Sequence, residues 1–492
     1  MRKGVLLFLI LFWACSKIVP PEQQVVLARV GSKTISVNDF IKRSEYTIRP
    51  VWCKKDDYIS KKIVLNSLIA EKLLAIEAGE DSVLLRNPQV ENYLAGRKEQ
   101  IMRRMYQYQH GQALVKPDSQ FINQVALLAQ RKYKVNILGA DSKEKALEIK
   151  TYLNDPGSTL SKSLQSNDSL KSMEITFQSP LSDDVIKTLY FDYHSKGEII
   201  GPLKLDGQRF IVLKIKGWMR HVVVSDQESR QLLNDVGKRI REIIGMDLYS
   251  RNIAELMHGK SVRFNKPVFK SVVNAIAPFY FQNEKERKEV FNKKLWNKDD
   301  SKMTLNDLNG LFDRLADETF FSFSGKKWSI ADFEQAMQKH PLVFRNRKMP
   351  KSQFANQFKL AIVDMLRDKV ITRQAYLEML DKNPQVTREM NIWRDNLLAL
   401  HQREKLVGEK TQASVKNYAR IKSVIDPLLN TLRQKYSRQI FIDTQAFGKI
   451  KLTSIDMFAL RQKEAFPVVV PEFPLLTTHN QLDYGRRMEE NQ

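Results

Sequence analysis

The chain has 492 residues, 42% apolar and 28% charged, with a formal net charge of +24. That size and balance support two or more packed domains and exclude wholesale disorder. The basic residues are spread along helical stretches, with no zinc-finger spacing, RNP-like strand or basic heptad array. This excludes a nucleic-acid module and reads as a solvated basic surface.

Residues 1–15 read as a leader: Met1-Arg2-Lys3 is charged, and residues 5–13 are almost wholly apolar. That run is too short to cross about 30 Å of hydrocarbon as a helix. Ala14-Cys15-Ser16 follows, a small residue and then a cysteine, similar to a lipoprotein signal, although Phe12 and Trp13 are bulkier than that pattern has. Cys15 is the expected lipidation site, its acyl carbons contributing about 0.8 kcal/mol per buried CH₂ to membrane attachment. Residues 16–25, with Pro20-Pro21, read as a tether. Cys53 then stands alone in the body, so no internal disulfide forms. The seven histidines are scattered without metal-ligand spacing, and no P-loop, dinucleotide or Gly-x-Ser-x-Gly fingerprint occurs. Neither a metal nor a cofactor is expected.

An internal repeat organises the rest. Val30-Gly31-Ser32-Lys33-Thr34-Ile35-Ser36 returns as Ser324-Gly325-Lys326-Lys327-Trp328-Ser329, each a hairpin running into a Ser-capped helix, with Asp39 or Asp332 three residues on. Residues 68–78 match 365–375, both read as amphipathic helices. Asn87-Pro88-Gln89-Val90 recurs as Asn383-Pro384-Gln385-Val386 and heads a long helix each time. The shifts are 294 (Gly31 to Gly325), 297 (Ala78 to Ala375) and 296 (Asn87 to Asn383) residues. Each repeat closes with a helix (about 225–258; about 412–436) and a short alternating strand, residues 261–265 and 439–443, expected to pair with its own opening strand. The first repeat holds about a hundred extra residues before its closing strand, hence an inserted domain.

The insert reads as a small α+β domain: a strand at 133–138, a helix at 142–153, a turn at Asp155-Pro156-Gly157, a helix at 183–189 and a strand at 209–215. Its EKALEI helix (144–149) and KGEIIGPLKLDGQRFIVLKI segment (196–215) resemble a parvulin-type peptidyl-prolyl isomerase domain. The flanking VGSKTISVNDF, LNSLIAEKLLAIEAG and SVRFN segments resemble the helical chaperone domain of SurA/PrsA/PpiD-like periplasmic foldases. The resemblance covers residues 26–270 and, through the repeat, about 320–450. It implies a mostly α fold with an α+β insert: two SurA-N-like helical units, the first carrying a parvulin-like domain. The expected order is a signal peptide at 1–15, a tether at 16–25, unit one at 26–130, the parvulin-like domain at 131–218 and a helix and strand completing unit one at 219–270. A connector at 271–320, the second unit at 321–450 and a tail at 451–492 follow.

The insert departs from the parvulin pattern where catalysis is expected. Asn136 stands for the usual first-strand histidine, Phe210-Ile211 for the last-strand histidine, and residues 173–177, ending in Phe177, replace a Gly-rich segment. Prolyl rotation has a barrier of about 18–20 kcal/mol set by amide resonance. With those groups replaced, the expected role is binding. His194 is expected to be exposed. Met102, Met105, Tyr106, Met390 and Trp393 sit on amphipathic helices where most such side chains pack in the core or between helices; the minority that line a groove are the candidate client contacts, because Met and flat aromatic rings repack around clients of unfixed sequence. The expected partners are unfolded or nascent exported envelope proteins, and a periplasmic membrane surface through the lipid. The prolines of 467–474 predict an extended strap over a groove or a loose tail. An active isomerase and a scaffold for one fixed partner stay open as alternatives, as do the client, the leaflet and the oligomeric state.

Overall fold

The computed structural model describes residues 25–80, 82–154, 171–206, 209–281, 314–346, 349–407, 418–453 and 468–487. The leader with Cys15, most of the tether and connector, and the Asp155-Pro156-Gly157 turn lie outside the described residues. The described chain is mostly helical with small sheets, antiparallel except where the strands Ile440–Ile442 and Arg486–Arg487 pair in parallel.

In chain order the first repeat runs β1 (Val26–Val30), β2 (Lys33–Ser36), α1 (Val37–Glu45), α2 (Tyr58–Ala78) and α3 (Pro88–Gln109). Next come α4 (Ser119–Ala129), β3 (Arg131–Ala140), α5 (Lys143–Asn154), β4 (Lys171–Ile175), α6 (Asp183–Phe191), β5 (Ile199–Asp206) and β6 (Arg209–Arg220). They lead to α7 (Asp226–Met257), β7 (Val262–Phe264) and α8 (Lys266–Tyr280). The second repeat is β8 (Thr319–Phe323), β9 (Lys326–Ser329), α9 (Ile330–Lys339), α10 (Phe354–Leu377) and α11 (Pro384–Val407). It closes with α12 (Asp426–Lys435), β10 (Ile440–Ile442) and α13 (Thr444–Lys449), and β11 (Arg486–Arg487) comes last.

Local chemistry explains the shared starts. Gly31 (φ +58°) and Gly325 (φ +82°) turn the hairpins in the left-handed region. Ser36 accepts the Asp39 N–H while Asp39 accepts the Ser36 N–H, and Ser329 and Asp332 repeat the exchange at α9.

The described residues form two compact units, one of those up to Arg104 and from Gly259 onward, the other of those between Met105 and His258. In the second of these, four antiparallel strands run β4-β3-β6-β5. Tyr133, Val135, Ile211, Leu213 and Ile215 turn to one face, against α4, α6 and α7. Leu138, Ala140 and Val212 turn to the other, covered by Ala146 and Ile149 of α5. Val236, Ile240 and Ile243 form an apolar stripe of α7 within the first of these cores. The helix expected to complete the first helical unit therefore belongs to the sheet-containing one.

In the helical unit the closing strands are crossed. β10 pairs antiparallel with β1 (Ala28↔Ile442, Arg29↔Phe441, Val30↔Ile440), within a sheet of order β11-β10-β1-β2. β7 pairs with β8 (Val262↔Phe323, Arg263↔Ser322, Phe264↔Phe321), giving order β7-β8-β9. Each opening strand takes the other repeat's closing strand, which corrects the expected pairing. Both closing strands present the same alternating pattern, so strand sequence alone offers no choice between the two partners.

The long helices cross over as well. Leu397 and Leu398 of α11 pack with Ala75 of α2, and Ala399 with Ala70 and Leu74. In return, α3 lies on the second repeat. Arg103 Nη1 donates to Thr372 Oγ1 at 2.8 Å and Asn92 Nδ2 to Gln338 Oε1 at 2.9 Å. A Cβ on Gly96 would stand 2.0 Å from the Lys339 carbonyl oxygen, so this crossing requires glycine.

Candidate polypeptide-binding groove

α2 is the centre of the helical unit. Residues 63–75 are almost wholly buried on every face, so the helix is not the amphipathic one its apolar spacing predicts. Asn66, Ser67, Glu71 and Lys72 interrupt the apolar run and are buried with it. Buried polar groups need partners, because leaving water without one costs about 1–3 kcal/mol or more. For three of these four the partners come from distant chain.

Glu71 accepts from Arg43 of α1 at 3.0 and 2.8 Å, and from Asn396 Nδ2 of α11 at 2.7 Å. Lys72 Nζ meets Asp395 at 2.8 Å, and Lys33 Nζ reaches the other oxygen of that carboxylate at 2.7 Å. The second repeat mirrors the arrangement. Asp368, equivalent to Glu71, faces His340 Nε2 at 2.9 Å, Arg367 Nη2 at 2.8 Å and Arg103 Nε of α3 at 3.7 Å. Burial opposes ionisation of Asp368, yet the His340 hydrogen bond and the two guanidinium charges outweigh it and hold the carboxyl below the usual range. Lys369, equivalent to Lys72, is pulled below the usual lysine range by burial, while Glu99 of α3 favours its charge.

The remaining partner is the C-terminal segment. Residues 468–485 have no regular structure and run along the helical unit as a strap, one of the two forms open to this tail from its sequence. Asn66 Nδ2 donates to the carbonyls of His479 (2.8 Å) and Gln481 (2.9 Å). Arg43 Nη2 donates to the Glu472 carbonyl at 3.0 Å, joined by Asn396 at 3.4 Å. Asp426 receives the Thr477 hydroxyl, and the Thr478 hydroxyl at 2.6 Å. Phe473 and Leu482 enter the core around β1, β10 and α2, while Leu476 sits fully buried with Ala70, Leu74, Ile421 and Ile425. Tyr484 donates to Asn66 Oδ1, and burial pushes its hydroxyl up to about 12. Beneath Val469–Pro471 a cavity of about 10 Å³ remains beside Trp393 and Arg43. The groove thus holds an extended chain by main-chain carbonyls and apolar side chains.

The candidate client contacts fall elsewhere. Met102, Tyr106 and Trp393 are buried. Trp393 packs edge-on to Tyr93 at 5.9 Å, with Arg97 over its ring, and the Tyr106 hydroxyl donates to Asn252 at 2.9 Å. Met105 and Met390 are half-buried. Helix packing thus claims Trp393 against α3 and Tyr106 against α7.

The parvulin-type positions do not gather in one place. Phe177 and Ile211 are buried in the core that holds α6 and α7, whereas Phe210 packs on the α5 face. Asn136, half-buried, pairs with Lys214 and Ser172. His194 is not exposed: its side chain is 8% accessible, with Nδ1 2.8 Å from Glu198 and Nε2 2.5 Å from the Thr188 carbonyl.

Apolar side chains stand open at the junctions between helices. Ile48 and Val51, between α1 and α2, have a counterpart in Val343, between α9 and α10. Val83, between α2 and α3, has counterparts in Leu377 and Met379 at the α10–α11 junction. Val51 is 86% and Leu377 67% accessible. No protein-family model, curated protein or solved structure matches the chain.

Proposed function

We propose that this protein is an exported chaperone of the bacterial envelope, lipid-anchored through Cys15, that binds unfolded exported polypeptides without nucleotide. The observation that carries the reading is the strap. The helical unit already holds an extended chain by donating side-chain hydrogen bonds to its carbonyls, a form of recognition indifferent to side-chain sequence. Two further features support it. Apolar residues stand open at matching junctions of the two repeats, ready for a passing apolar segment. The β4-β3-β6-β5 sheet backed by α5 on one face and α6 on the other agrees with a parvulin-like insert used for binding.

The test is suppression of aggregation of an unrelated, thermally unfolded protein by the mature chain. Suppression near stoichiometric amounts is expected, weakened several-fold when Val51, Val83 and Leu377 are all changed to Asp. Failure of the unaltered chain at large excess sinks the reading.

A further inference from the structure

The unit of residues Met105–His258 carries an open groove of about 320 Å³ between α4 and α7, at the lower end of the range for small-ligand sites, about 300–1,000 Å³. The half-buried Arg241 lies over it. Among the described residues its guanidinium has no carboxylate, hydrogen-bond acceptor or ring as partner. Arg239, two residues earlier, binds Asp183 at 2.8 Å, so acids are within reach of this helix and none is given to Arg241.

Gly237 supplies the second, independent observation. It is buried in the interior of α7, where glycine costs about 1 kcal/mol relative to alanine. Packing does not require it, since a Cβ would meet Arg241 Nη1 and Ile122 Cδ1 at 3.6 Å, ordinary contact. Gly245 on the same helix differs: a Cβ there would stand 2.6 Å from the Gln112 nitrogen. What the missing side chain of Gly237 provides is an open floor beneath Arg241. Asn123 and Asn234 line the same groove with groups that both donate and accept, and Ile122 and Leu233 supply apolar walls.

We infer that this groove binds the C-terminal end of a peptide chain. The α-carboxylate takes the Arg241 fork, the last peptide unit meets Asn123 and Asn234, and an aliphatic terminal side chain lies against Ile122 and Leu233. A fatty acid shares the carboxylate and the aliphatic part but offers nothing to the two amides. The groove lies wholly within one unit, and the inference does not depend on the chaperone reading.

The experiment is calorimetric titration of the full chain with acetyl-Ala-Leu as free acid, the same dipeptide as C-terminal amide, and octanoate. Saturable binding of the acid is expected, about tenfold or more weaker for the amide and for Arg241→Gln, as loss of a charge-assisted pair implies. Gly237→Leu, which fills the floor, abolishes it, while Gly237→Ala keeps the fold by circular dichroism. Equal binding of acid and amide, unchanged binding by Arg241→Gln, octanoate binding as tightly as the acid, or no binding of the acid at millimolar concentration each overturns the inference.

Discussion

Glu71 is 1% accessible, and its two oxygens are shared between a guanidinium from α1 and an amide from α11. Such a site is costly when half of it is removed. Glu71→Ala leaves Arg43 charged and buried, and is expected to cost about 3–5 kcal/mol, read as a drop in the urea unfolding midpoint. Replacing both partners, as Arg43→Leu with Glu71→Leu, is expected to recover most of that loss, because the desolvation cost leaves with the charges. If the double change is as damaging as the single one, Arg43 acts mainly through the Glu472 carbonyl. Cys53 is the apolar counterpart: fully buried, its thiol is pushed up to about 12 by burial, only partly offset by Arg49, which suits a packing residue and not a reactive one.

At the scale of elements, the crossed strands link the repeats more closely than stacking would. α2 packs against α11, α3 rests on α9 and α10, and each hairpin accepts the strand that closes the other repeat. Paired cysteines report this directly. With Cys15 and Cys53 replaced by serine, Arg29→Cys with Phe441→Cys is expected to form a disulfide in the folded chain, since paired strand positions lie about 4.5–5.5 Å apart between Cα atoms. Arg29→Cys with Arg263→Cys, the pairing within one repeat, is expected to stay reduced. A change in mobility on non-reducing gels distinguishes the two, and the opposite pattern would remove the crossing.

For the whole molecule the strap decides whether the helical unit is complete. Leu476 is fully buried, and Asn66 keeps its amide satisfied only through strap carbonyls. Ending the chain after residue 467 uncovers Ala70, Leu74 and Ile425 and leaves Asn66 unpaired. The expected result is a loss of several kcal/mol, from about 1.5–3 kcal/mol per large apolar side chain and about 1–3 kcal/mol for the orphaned amide. An unchanged thermal midpoint, with no gain in binding of an apolar dye, would show the strap to be dispensable.

The hairpin glycines, the Ser36 and Ser329 capping boxes, the repeated Asn-Pro helix starts and the non-helical character of the proline-rich tail were legible in the amino-acid sequence. Each depends on interactions within a few residues, and there the local preference and the final structure agree. The α+β character of the insert was legible for the same reason. Strand partners and the roles of Asn66 and Glu71 were not. These depend on groups hundreds of residues apart, and the two repeats carry near-identical patterns, so no local signal ranks one closing strand above the other. Only the packed structure chooses, through the fit of α2 against α11 and of α3 against α10, where the buried charges must find their counterparts.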